Sequence, residues 1–230
     1  MKVIVVPDPH QTTHWRKVRD HIDSVDKVIF LGDYFDTWKN KWPHQINNVS
    51  NIIKFKKDYP DKVCLCWGNH ETSYYLDEKC SGYQHDRSFD IEEFLRKHNE
   101  LFEVCFIFDN WIFAHGGISK KWIEVCGIDS DINKINQLFK ERPGYFRWVG
   151  PNGYGNNYNE GPLWIRPIAL AEVAIDNYNQ CVGHTEVNSM NVKPPIKWKH
   201  QNNGDLLLVD SHEHDCIIEL DTITGEYKLI

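Results

Sequence analysis

No run in the chain approaches the ~20 consecutive apolar residues that a membrane-spanning helix needs. The N-terminus, MKVIVVPDPH, meets Pro7 and Asp8 before the apolar stretch of a secretory signal could build up. A soluble chain in the cytoplasm is therefore expected, with no membrane partner. Basic charge is short as well: 26 Lys and Arg stand against 33 Asp and Glu, for a formal charge of -7. General nucleic-acid binding needs the opposite balance, because such proteins displace counterions from phosphates. A phosphorylated substrate held through a metal is compatible with that charge. Internal repeats and low-complexity linkers are also missing, so a single domain over residues 1–230 is expected.

Cysteine is present but lacks metal or redox spacing. Cys64, Cys66, Cys80, Cys105, Cys126, Cys181 and Cys216 are odd in number and mostly lie in apolar runs. Cys64 and Cys66 sit two apart on one expected strand, where side chains share a face and form no ordinary disulfide. Buried thiols in a reducing compartment follow. What the chain has in quantity is aromatic residues: nine Trp and ten Tyr suit a large aromatic core or a wall of rings around a cleft.

Short β-branched runs at 2–6, 27–31 and 62–67 read as buried parallel strands. Between them, Trp15, Val18 and Ile22 recur at helical spacing over 14–22, and Ile46, Val49, Ile52, Ile53 and Phe55 do so over 45–59. The order is βαβαβ with right-handed crossovers. A loop after Asp77 and a helix at 89–98 precede strands at 101–108 and 111–114, joined as a hairpin through Asp109 and Asn110. Helices follow at 120–125 and 132–141, with Thr12 and Thr13 as caps for the helix at His14. Residues 150–162, GPNGYGNNYNEGP, form a loop. A helix at 168–176 and strands at 180–182, 196–199, 206–209, 216–220 and 226–230 complete an α/β chain. Its second half reads as antiparallel β.

The polar residues at the strand ends carry the functional signal. Asp8 and His10 follow the first strand, Asp33 and Asp36 the second, and Asn69 and His70 the third. His115 ends the WIFA strand and His184 the NQCV strand, with Gly32, Gly68, Gly116 and Gly183 beside them. The carboxyl edge of an open α/β sheet is where ligands bind. Oxygen and nitrogen donors without thiolate suit Mn, Fe, Zn or Ni. The donors suffice for two ions sharing one carboxylate, an arrangement used for in-line displacement at phosphorus. Hydrolysis of a phosphate ester is the inferred chemistry.

DPH at 8–10, GDYFD at 32–36, GNHE at 68–71, HGG at 115–117 and GHT at 183–185 resemble, in order, the motifs of the calcineurin-like metallophosphoesterases. The likeness is strongest to the phosphoprotein (serine/threonine) phosphatases of bacterial and phage type. It implies the β-sandwich of that superfamily, with mixed central sheets flanked by helices. It also implies a binuclear metal centre, most often Mn, and a metal-bridging hydroxide that attacks phosphorus. Asp8 and His10 would bind the first metal, Asp33 would bridge, and Asn69, His115 and His184 would complete the second. His70 would act as general acid, with Asp36 orienting its ring. PLWIR at 162–166 is similar to a Leu-Trp-x-Arg segment whose Arg grips phosphate, which makes Arg166 the clamp candidate. The implied substrate is a phosphoserine or phosphothreonine ester.

The sequence departs from that pattern at two positions: Thr37 stands where the family has Arg, and Gln11 where it has Gly. Lys39, Lys41, Arg142 and Arg147 are candidates for the absent clamp. The departure keeps a nucleotide or dinucleoside polyphosphate hydrolase, or a nuclease of the same fold, as alternatives. A metal-binding scaffold without activity is the non-enzymatic one.

Each residue taken singly has an ordinary structural reading. Asp8 and Asp33 can be turn formers, Asn69 a helix cap, and His115 and His184 satisfied polar groups. Only the joint placement at successive strand ends favours the metal site. Arg166 fits a surface ion pair as well as a clamp. Packing is preferred to a substrate wall for Tyr145, Phe146, Trp148, Tyr154 and Tyr158. A surface loop is preferred for Tyr83 and His85, and alternation accounts for His212 and His214. Asp210 reads as structural.

Overall fold

Strand β1 (Lys2–Val6) turns Val3 and Val5 to one side and Ile4 and Val6 to the other, all four buried. That alternation sets the layers. The computed structural model describes residues 1–230 except 11, 37–41, 129, 130, 132, 151–154, 188–194 and 211–215. Gln11, Thr37, Lys39, Lys41, Tyr154, His212 and His214, singled out above, lie outside the described residues.

In the first sheet, β1 pairs in parallel with β2 (Lys27–Phe30), which continues to β3 (Val63–Cys66) and β4 (Phe102–Glu103). On its other side β1 pairs antiparallel with β10 (Ile218–Asp221), and β10 with β11 (Tyr227–Leu229). The second sheet has the order β5 (Cys105–Phe108), β6 (Trp111–Ala114), β7 (Asn179–Val182), β9 (Asp205–Leu208), β8 (Ile196–Lys199).

Val3, Val5, Ile29, Cys64 and Cys66 of the first sheet meet Trp111, Phe113, Cys181 and Leu207 of the second in one buried cluster. The outer face of the first sheet, with Ile4, Val6, Val28 and Phe30, lies under a 3-10 helix (His14–Ser24), α1 (Trp42–Asp58) and α3 (Ser88–His98). The outer face of the second receives α6 (Pro167–Val173) against Val182, Leu206 and Leu208. The result is a sandwich of two mixed sheets flanked by helices. No helix among the described residues is long and apolar enough to cross a membrane. All seven cysteines are free, and Cys64 and Cys66 share the inter-sheet face.

Four expectations are corrected. The second sheet is mixed: β6, β7 and β9 run parallel, and only β5 and β8 are antiparallel. The strand expected at 101–108 is divided at Val104, so β4 belongs to the first sheet and β5 to the second. Asn136 of α5 (Asn133–Glu141) holds the crossing, its Oδ1 accepting from the N–H groups of Val104 and Cys105. The 14–22 helix is 3-10 and not α, and Thr13 contributes its backbone carbonyl to Arg16 N with no side-chain cap. The five motif-bearing strands reach their common rim from two sheets, β1, β2 and β3 from the first and β6 and β7 from the second. Asp109 does turn the β5–β6 hairpin, with a φ of 53°, and its carboxylate accepts from the N-terminal ammonium and Thr222.

Leu207 is fully buried between the sheets. Leu207→Ala is expected to lower unfolding free energy by about 3 kcal/mol in urea denaturation. A loss under about 1 kcal/mol would contradict the inter-sheet packing.

Candidate metal centre

The parallel strands of both sheets deliver their carboxyl ends to one rim. Asp8 and His10 leave β1, Asp33 and Asp36 leave β2, and Asn69 and His70 open α2 (Asn69–Tyr75) after β3. His115, His184 and Asp210 follow β6, β7 and β9. His10, Asp33, Asp36 and His184 have φ of 39°, 56°, 65° and 62°. Such conformations cost free energy in a residue with a Cβ, and here they cluster at one site. Two glycines allow the close approach: a Cβ on Gly68 would collide with Asp33 Oδ1, and one on Gly183 with Asp8 Oδ1.

Glu71, wholly buried, ties the β2 and β3 turns together. One of its oxygens accepts from Asp33 N (2.8 Å) and Gly68 N (3.1 Å), the other from Tyr34 N (2.7 Å) and Phe35 N (3.0 Å). The sequence reading gave Glu71 no role. Its place as third residue of α2, reaching back to Gly68 N, is the capping pattern that could have revealed it.

Backbone carbonyls fix the histidine tautomers. His10 Nδ1 donates to Phe35 O and Asp36 O, both at 3.0 Å. His115 Nδ1 donates to Leu31 O at 2.9 Å, and His184 Nε2 to Trp164 O at 3.1 Å. In the neutral form of each ring the other nitrogen turns a lone pair inward. His115 Nε2 lies 2.8 Å from Asn69 Oδ1 and 3.1 Å from His184 Nδ1, which is itself 3.0 Å from that same oxygen. Three acceptors facing one another at these distances are what a bound cation resolves. Asp33, His115 and His184 place donor atoms within 4.8 Å of one another, and so do Asp33, His10 and His70. Asp33 belongs to both groups.

Charge gives the same answer. Asp8 Oδ1 is buried with no hydrogen-bond partner; its other oxygen accepts from His184 N at 2.6 Å. Burial and the charges of Asp8 and Asp33 push Asp210 well above the usual carboxylate range. Burial would lower His115, yet Asp33 and Asp8 push it up to about 9. The carboxylates thus demand positive charge at the centre. Burial pulls His10 below the ordinary imidazole value and His184 well below it, which leaves neutral rings of the kind that bind metal. The donor set fits a divalent cation.

His70 is different in charge. Burial opposes its protonation, but Asp33 and the hydrogen bond to Asp36 raise it well above 6.5. Its Nδ1 donates to Asp36 Oδ2 at 2.8 Å, and Nε2 is 3.9 Å from Asp33 Oδ2. Asp36 Oδ1 in turn accepts from Tyr74 Oη and, at 2.9 Å, from Gln84 Nε2. Tyr74 and Gln84 were missed in the sequence, where residues around Tyr83 read as a surface loop. Tyr83 instead stacks on Tyr74 at 4.4 Å.

The centre opens into a cleft of about 530 Å³. Arg166 reaches it, with Nη1 donating to Thr185 Oγ1 at 3.2 Å. Neither Arg142 nor Arg147 lines it; Arg147 Nη2 donates to Leu76 O, and among the described residues Lys79 also lines the cleft. Trp148 also lines the cleft, against the expectation that it packs, whereas Phe146 is buried in the core. Asp210, read as structural, lies at the cleft beside Asp8.

The chain belongs to the calcineurin-like phosphoesterase family, whose sequence profile matches residues 1–216. It is similar to serine/threonine-protein phosphatase T of Schizosaccharomyces pombe, with 26% identity over 125 residues, covering 52% of this chain and 24% of that protein. The match thus spans about a quarter of the relative's length. Among solved structures, a cold-active protein-tyrosine phosphatase of Shewanella sp. aligns over 100% of this chain and 80% of its own, with a TM-score of 0.59 and 18% identity. A protein serine/threonine phosphatase from Saccharomyces cerevisiae aligns over 96% and 72%, with a TM-score of 0.52 and 12% identity. At such identities the structural likeness concerns the fold.

Glu71→Ala leaves four backbone N–H groups without their acceptor. It is expected to cost on the order of 3 kcal/mol or more in urea denaturation. A loss under about 1 kcal/mol would show that the carboxylate does not hold the turns.

Proposed function

We propose that this family member is a metal-dependent phosphoric ester hydrolase, acting on phosphate monoesters at a two-metal centre. The observation that carries the reading is Asp33, which has His115 and His184 to one side and His10 to the other, with His70 held beside it by Asp36. Asp8, His10 and Asp33 would hold one ion, and Asp33, Asn69, His115 and His184 the other. Mixed oxygen and nitrogen donors favour Mn, with Fe, Zn or Ni as substitutes. When bound, the ions supply charge neutralisation at the phosphoryl oxygens and an activated water for in-line displacement.

The residues of the chain do the rest. His70 keeps Nδ1 on Asp36, which leaves Nε2 to donate a proton to the departing oxygen. Asp36 is itself held by Tyr74 and Gln84, so the imidazole has one orientation. Arg166 offers a planar guanidinium to two phosphoryl oxygens. The Schizosaccharomyces pombe relative, named as a serine/threonine phosphatase, supports phosphoserine and phosphothreonine esters as substrates. Residues 1–230 act as one domain, and seven free thiols suit the reducing cytoplasm. The intact pair of His70 and Asp36 weighs against a scaffold without activity.

His70→Ala is expected to lower kcat on p-nitrophenyl phosphate with Mn by roughly 10²- to 10⁴-fold while bound metal is retained. An unchanged rate would remove His70 from the proton transfer. Asn69→Ala and His184→Ala should each reduce the metal content measured by elemental analysis from about two ions to about one. Full occupancy in both variants would refute the second site.

A further inference from the structure

The cleft is larger than its polar centre requires, and its outer part is walled by indole rings. Trp164 stands edge-on to His184, with ring centroids 6.0 Å apart, and its carbonyl accepts from that imidazole. Trp148 lies next outward, 6.1 Å from Trp164 and tilted by 33°. Both rings are only half-buried. A row of two indole rings therefore leads from His184 along the wall of the cleft.

Trp148 is held there at a cost. Its N–H donates to Glu78 at 3.4 Å, and the next N–H, of Val149, donates to both oxygens of Glu160 at 3.3 and 3.2 Å. Glu160 is wholly buried, and burial pushes its carboxyl up to about 7, with the nearby charge of Glu78 adding to the shift. Arg147 anchors the same strap to Leu76 O. Burying a carboxylate to hold one exposed strap is unfavourable unless the strap's position matters.

We propose that Trp148 and Trp164 form a subsite for a planar aromatic ring carried by the leaving group, and that Glu160 positions Trp148 within it. The proposal rests on the phosphoesterase reading and names the leaving group that the cleft favours. A ring laid against the indoles in this cleft gains the contact energy of aromatic pairing, which an alkyl group lacks. Two sources share this chemistry: a tyrosine side chain, whose own phenol oxygen departs, and a nucleobase borne on a nucleoside that departs through its sugar hydroxyl.

The test compares kcat/KM for phenyl phosphate with that for cyclohexyl phosphate in the Mn-loaded protein, alongside a phosphotyrosine peptide, a phosphoserine peptide and a nucleoside monophosphate. Trp148→Leu, which keeps apolar volume, is expected to lower the aryl-to-alkyl ratio about 10-fold, mainly through KM, and Trp148→Phe to keep it near the wild-type ratio. Glu160→Ala should lower the ratio as Trp148→Leu does, and Glu160→Gln, which still accepts from Val149 N, should restore it. A matching fall for the phosphotyrosine peptide or for the nucleotide identifies the source. Equal losses on phenyl and cyclohexyl phosphate, or a ratio unchanged in Trp148→Leu, would overturn the subsite. Inactivity of the wild-type protein on every ester would instead refute the phosphoesterase reading.

Discussion

The carboxylate of Glu71 is the constraint on which the site depends. It accepts four backbone N–H groups from two turns that are separated by more than thirty residues of chain, and it does so in complete burial. A buried carboxylate is stable only with such full satisfaction. Once Glu71 is in place, Asp33 and the start of α2 have fixed relative positions, and Asp33 Oδ1 in turn accepts from His70 N at 3.1 Å. The left-handed backbone at Asp33 and Asp36 is sustained by that clamp.

Asp33 then faces both ways. To one side are His10 and His70, to the other His115 and His184. What separates the four imidazoles is their neighbours. Burial pulls His10 and His184 below the ordinary imidazole value, whereas nearby carboxylates raise His115 and His70 above it. His115 Nε2 faces Asn69 Oδ1 and His184, while His70 Nδ1 is held on Asp36, so position distinguishes the two raised rings although the four side chains are chemically identical.

Much of this was legible in the sequence because its signals are local. Short continuous apolar runs marked β1, β2 and β3, and a polar pair after each marked the rim. The resemblance to the family supplied the roles of Asp36 and His70, and the pairing at 2.8 Å agrees with it. What could not be read depended on distant partners. Nothing near Gln84 indicates that it holds Asp36, 48 residues away, and nothing near Trp148 indicates that it lines a cleft with its backbone N–H on Glu78. The strand read over 101–108 failed for a similar reason: Asn136, beyond the window of any periodicity, decides where it divides.

The sequence by itself determined which chemistry is available at the strand ends: carboxylates, imidazoles and an amide, with no thiolate among them. Strand periodicity and turn residues are short-range properties, so they survive in one dimension. Tertiary structure decided the rest. It brought His184 against Asp8 across 176 residues, set the tautomers of His10, His115 and His184 by backbone carbonyls, and split the motif-bearing strands between two sheets. These outcomes follow from packing and hydrogen bonding between segments far apart in the chain, where the energy of burial, and not local propensity, chooses the partner.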